Sequence, residues 1–200
     1  MLALCVNEVS MIIQVLSDLH IEFDDYELEI TNSDVVVLAG DIHVKDKGVS
    51  WAIENIKDKP VLYVLGNHEF YGKAYPKLLN SLKDMTTGTN IQILEKDKVT
   101  IDGVNFLGCT LWTDFELFGD PRIAGFECQQ VMTDFKKIRL SPKYSKLRSI
   151  DVASIHSQSL QWLKSETNVF IVFSIDDLIF SLPKKKALIH GILVKVPYED

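Results

Sequence analysis

The chain has 200 residues, 46% of them hydrophobic and 24% charged, which suits one domain with a buried core and argues against long disorder. Its formal net charge is -7 and its pI is near 5.2. Such an acidic surface repels phosphate backbones and disfavours a nonspecific nucleic-acid binder, so a phosphorylated substrate would need a local positive centre, such as a metal ion. No apolar run reaches the ~20 residues of a membrane span, and residues 1–10 lack the basic start of a signal peptide. Cys5, Cys109 and Cys128 fit no zinc spacing and read as reduced, mostly buried thiols of a cytoplasmic protein.

Taken in chain order, residues 1–10 read as a dispensable extension, because Met11 directly precedes the strand-like run Ile12–Leu16. Further strands are expected at Asp34–Ala39 and Pro60–Leu65. Both are near-continuous apolar runs stopped by glycine, the pattern of strands buried on both faces. Between them, Val49, Ala52, Ile53 and Ile56 recur at helical spacing, and Leu78, Leu79 and Leu82 repeat the pattern over Pro76–Met85. This alternation predicts βαβ units and a layered α/β domain. Asp102-Gly103, between two alternating runs, predicts a tight β-hairpin and with it a second sheet. A helix is expected over Asp151–Glu166 and a buried strand over Val169–Phe173. Ser174–Asp200 has no clean periodicity.

Three of these strands run into potential metal ligands: Ser17-Asp18-Leu19-His20, Gly40-Asp41-Ile42-His43 and Gly66-Asn67-His68-Glu69. In a parallel sheet such loops gather at the carboxyl ends of the strands and would ring one crevice. Asp18 and His20 are two residues apart, so both point the same way while the backbone stays extended. Asp41 can bridge two cations, and the Asn67 oxygen suits a second. The donor set fits manganese, iron, zinc or magnesium. An Asp or Asn after a strand more often shapes a turn or caps a helix; three such junctions in succession outweigh that reading. No P-loop pattern occurs.

Asp18-x-His20, Gly40-Asp41 and Gly66-Asn67-His68-Glu69, in this order and spacing, resemble the opening motif blocks of the calcineurin-like metallophosphoesterase family. The resemblance extends through Phe106–Trp112, as in a bacterial subgroup, and covers roughly residues 11–172. It implies an αββα sandwich that hydrolyses phosphate mono- or diesters at a dinuclear centre. Asp18 and His20 would hold the first ion, Asp41 would bridge and Asn67 would hold the second. His68 would stabilise the transition state or protonate the leaving oxygen, and His43 would touch phosphate or simply pack. A phosphorylated small molecule is the implied partner.

The family's later histidines have no counterpart here. Val169–Phe173 is followed by Ser174-Ile175-Asp176-Asp177, and His190 precedes Gly191 rather than following it. The first site thus lacks one ligand and the second lacks two, with Asp176, Asp177 and His190 as remote substitutes. The expectation is weak or single-metal binding, much reduced activity and a C-terminal part that is truncated or altered. The competing readings are an inactive relative serving as a binding module or remnant, and a metal-binding protein using only Asp18, His20 and Asp41. Loops 22–33 and 115–144, with Phe115, Phe118, Arg122 and Arg139, are the expected walls of the site.

Overall fold

The computed structural model describes residues 2–6, 9–24, 26–166, 171–174 and 191–194. The first sheet contains β1 (Leu2–Val6), β2 (Val9–Leu16), β3 (Val35–Ala39), β4 (Val61–Val64) and β6 (Ile91–Leu94), side by side in that order. The pairs β2–β3, β3–β4 and β4–β6 are parallel, while β1 folds back antiparallel on β2 as an edge strand. Residues read from the sequence as an extension therefore supply β1 and the start of β2. Helices α1 (Lys47–Asn55) and α2 (Lys77–Met85) provide the crossovers.

The second sheet runs in the order β12 (Gly191–Val194), β11 (Ile171–Ser174), β8 (Val104–Gly108), β7 (Asp97–Ile101). The β7–β8 hairpin turns at Asp102 (φ 47°) and Gly103 (φ 81°), the left-handed pair expected of Asp-Gly. A small third sheet joins β5 (Ala74–Tyr75), β9 (Arg139–Leu140) and β10 (Ser145–Lys146). Helices α3 (Pro121–Val131), α4 (Asp134–Lys137) and α5 (Ser149–Ser165) complete the described elements.

Side-chain parity along the strands sorts the core into layers. Val35, Val37, Leu62 and Val64 meet Val104 and Phe106 between the two large sheets. Val36, Leu38, Val61 and Tyr63 face the other way, onto Val49 and Ala52 of α1 and Leu78, Leu79 and Leu82 of α2. Both faces of β3 and β4 are buried, which is why their sequences read as unbroken apolar runs. Gly108 lies where a Cβ would press on Leu94 and Val64, so its neighbour Cys109 points to the outer face. There α5 covers it: the Cys109 thiol meets Ser159, and Ser159 Oγ donates to Thr110 O at 2.8 Å. The helix, sheet, sheet, helix order expected from the resemblance is thereby present. Among the described residues no helix is long and apolar enough to cross a membrane. Asp176, Asp177 and His190 lie outside the described residues.

Candidate metal centre

The first two loops continue the parallel pairing of β2 and β3 beyond the strand ends. Asp18 N donates to Gly40 O at 3.1 Å, His20 N to Asp41 O at 3.0 Å and Ile21 N to Ile42 O at 3.0 Å. This stitching turns both loops inward and places Asp18, His20 and Asp41 in left-handed backbone, with φ of 53°, 48° and 53°. Non-glycine residues there carry strain of about 1–3 kcal/mol each, and Asp is among the types that tolerate it best. The result is a cluster: one donor atom from each of Asp18, His20 and Asp41 lies within 4.8 Å of the others. Three donors of this mix, one of them buried, suit a divalent transition ion.

The third loop is tied to the second by Glu69. Its buried carboxyl accepts from Asp41 N (3.1 Å), Ile42 N (3.0 Å), Gly66 N (2.9 Å) and Tyr63 OH (2.8 Å). Burial raises its pKa, against the pull of those donors. His68 N in turn donates to Asp41 Oδ1 at 2.9 Å. Gly66 is needed for this closeness, since a Cβ there would sit 2.2 Å from Asp41 Oδ1. Within its motif Glu69 carries no evident role in the sequence; its full burial, invisible in one sequence, defines it as the tie.

Asn67 is 5% exposed. Its Nδ2 donates to Asp134 Oδ1 at 2.5 Å and lies 3.4 Å from Tyr71 OH. Its Oδ1 is buried and has no hydrogen-bond partner among the described residues. A carbonyl oxygen left bare in this way is costly in a plain fold and suits a site that receives a cation. Tyr71 OH donates to Asp134 Oδ1 at 3.3 Å, and burial, reinforced by the Asp134 and Asp41 charges, raises its pKa far above the ordinary phenol range.

His68 packs between His20 and Tyr71, with ring centroids 4.4 Å away on either side. Its Nδ1 lies 2.6 Å from Glu22 Oε1, and His20 Nδ1 lies 3.5 Å from the same oxygen. Burial works to raise the Glu22 pKa, but the hydrogen bond from His68, a backbone hydrogen bond, the His68 charge and His20 together outweigh it and hold the carboxyl below its usual range. In the sequence Glu22 only opens a wall loop; the spacing of His20-x-Glu22 repeats that of Asp18-x-His20, although the positive φ at Asp18 and His20 replaces the extended backbone expected there. His43 Nδ1 accepts from Val44 N at 2.8 Å, so its 3.6 Å approach to Glu22 Oε2 is no ion pair. Burial lowers the His43 pKa against the pull of the Glu22 charge.

The expected wall residues divide. Phe115 is buried in the helix-side core. Arg122 forms a surface pair with Asp120, and Arg139 donates to the carbonyls of Lys136 and Ile138. His156 is structural, with Nδ1 2.9 Å from Leu111 O.

Two stacked sheets with Asp18, His20 and Asp41 clustered in the loops after the first sheet's strands make a phosphoesterase-type α/β fold. The family model of the calcineurin-like phosphoesterases matches residues 11–172, and the chain belongs to that family. A solved structure similar to it is the phosphopantetheinyl hydrolase (PptH) from Mycobacterium tuberculosis, with TM-score 0.58 and 14% sequence identity. The likeness covers 82% of this chain and 66% of that one, just short of two thirds, and shows a shared fold. No curated protein matches.

Proposed function

We propose that the chain hydrolyses phosphate mono- or diesters of small molecules at a divalent-metal centre, with activity limited by an incomplete second site. The observation that carries this reading is the convergence of Asp18, His20 and Asp41 donor atoms within 4.8 Å. These three would hold the first ion, and Asp41 with the bare Asn67 oxygen the second. Bound ions at such a centre supply charge to neutralise a phosphoryl group and acidify water.

The residues around them have separable tasks. Glu69 fixes the two loops that carry Asp41 and Asn67 in register. Glu22 holds His68 by Nδ1, which leaves Nε2 as the ring atom able to give a proton to the leaving oxygen. Three protein ligands hold a catalytic ion well; two oxygen donors hold a transition ion poorly, and among the described residues the second position has only Asp41 and Asn67. That imbalance favours a second reading, an inactive relative with at most one ion.

Bound manganese per chain, measured alongside hydrolysis of an aryl phosphodiester, decides between them. Turnover that is abolished by Asp41→Ala and His68→Ala supports the hydrolase. One ion or none, with no turnover above those variants, leaves the fold without the activity.

A further inference from the structure

An asparagine amide has an oxygen end and a nitrogen end of nearly the same shape, and only the surroundings decide which end faces where. At Asn67 that choice matters, because only the oxygen can serve a cation. On one side of the amide stands Asp134, itself 3% exposed, with Oδ1 2.5 Å from Nδ2. Tyr71 closes a triangle, with its hydroxyl 3.4 Å from Asn67 Nδ2 and 3.3 Å from Asp134 Oδ1. With the hydroxyl proton directed at Asp134, the Tyr71 oxygen offers Asn67 an acceptor. Both neighbours of the nitrogen are thus acceptors. A flipped amide would set oxygen against oxygen at Asp134 and forfeit the hydrogen bond made there.

We propose that Asp134 is a positioning residue that locks the Asn67 amide with its oxygen turned to the metal centre. The inference rests on the reading of Asn67 as a ligand and adds the group that selects its donor atom. Asp134 is 67 positions further along the chain and belongs to no motif block, so the lock comes from how its segment docks. Gly72 N donates to Lys137 O at 3.1 Å and Arg139 N to Lys73 O at 3.0 Å, which clamps α4 beside the third loop. Phe135, buried in the helix-side core, anchors it.

The test uses the whole chain without metal first. The side-chain amide of Asn67, assigned by its disappearance in Asn67→Ala, is followed by NMR. In the wild type its protons should exchange slowly with water. In Asp134→Ala and Asp134→Leu, one of which keeps the site filled, exchange should quicken by about tenfold or more, while Asp134→Asn, which still offers an oxygen, should restore part of the protection. Wild-type exchange in either folded Asp134 variant would overturn the proposal. Manganese titration is the second readout. Asp134→Ala should weaken the Asn67-dependent binding step by about 10–100-fold, whereas in the Asn67→Ala background the added Asp134→Ala should cause no further loss. An Asp134 effect that persists undiminished in the Asn67→Ala background also overturns it. If Asn67→Ala leaves manganese binding unchanged although the amide signature follows Asp134, the lock stands and the ligand role of Asn67 falls.

Discussion

His68 Nδ1 and Glu22 Oε1 are 2.6 Å apart, and the two residues come from loops 46 positions distant in sequence. A ring held at one nitrogen presents the other in a fixed direction. Glu22→Gln keeps the size and loses the charge, and should lower kcat by about 10–100-fold with little change in KM. His68→Ala should cost about 10²–10⁴-fold. Steady-state kinetics on an aryl phosphodiester with manganese would check both; equal KM and kcat effects in Glu22→Gln would argue that Glu22 serves binding instead.

Gly66 is a steric requirement of Asp41. Gly66→Ala puts a methyl 2.2 Å from Asp41 Oδ1 and 2.8 Å from Asp41 N, where backbone as well as side chain must move. We expect a stability loss of about 1–3 kcal/mol together with loss of bound manganese. Denaturant unfolding and elemental analysis on the same preparation would reveal both.

The proposed ligands should separate by the ion each would serve. His20→Ala should abolish the tighter manganese step, and Asn67→Ala should remove only the weaker one. Calorimetric titration distinguishes the steps, and identical effects of the two variants would mean a single ion shared by all the donors.

Cys109 should be chemically silent in the folded chain. Burial, with the Glu95 charge added, pushes its thiol from 9.0 up to about 12, and the thiolate is the reactive form. Alkylation at pH 8 followed by mass mapping should find Cys109 unmodified until the chain unfolds. Because the folded pKa is raised, this group's contribution to stability is complete below pH 9 and declines as pH rises towards about 12. Cys109→Ala should flatten that part of the alkaline stability profile relative to the wild type.

Much of the architecture was written in local pattern. Val35–Ala39 and Val61–Val64 are buried on both faces, so their apolar runs announced them, and Asp102-Gly103 announced the hairpin. Asp18, His20, Asp41 and Asn67 stood out as candidates because each lies within four residues of a strand end. Glu22, Glu69, Tyr71 and Asp134 did not, since their roles depend on which loops meet. Nothing in a polar residue's own neighbourhood tells whether it will accept four hydrogen bonds in the interior, as Glu69 does. The small sheet of β5, β9 and β10 was equally silent, because two-residue strands carry no periodicity.

The left-handed backbone at Asp18, His20 and Asp41 limits how this scaffold can be improved. Glycine is the residue that would relax those positions at least steric cost, and glycine has no donor atom. Alanine removes the donor and keeps the strain, so asparagine is the cleaner control for either aspartate. A stabilised version of the chain must therefore gain its robustness elsewhere, because at these three places thermal hardiness and the proposed ion binding pull in opposite directions.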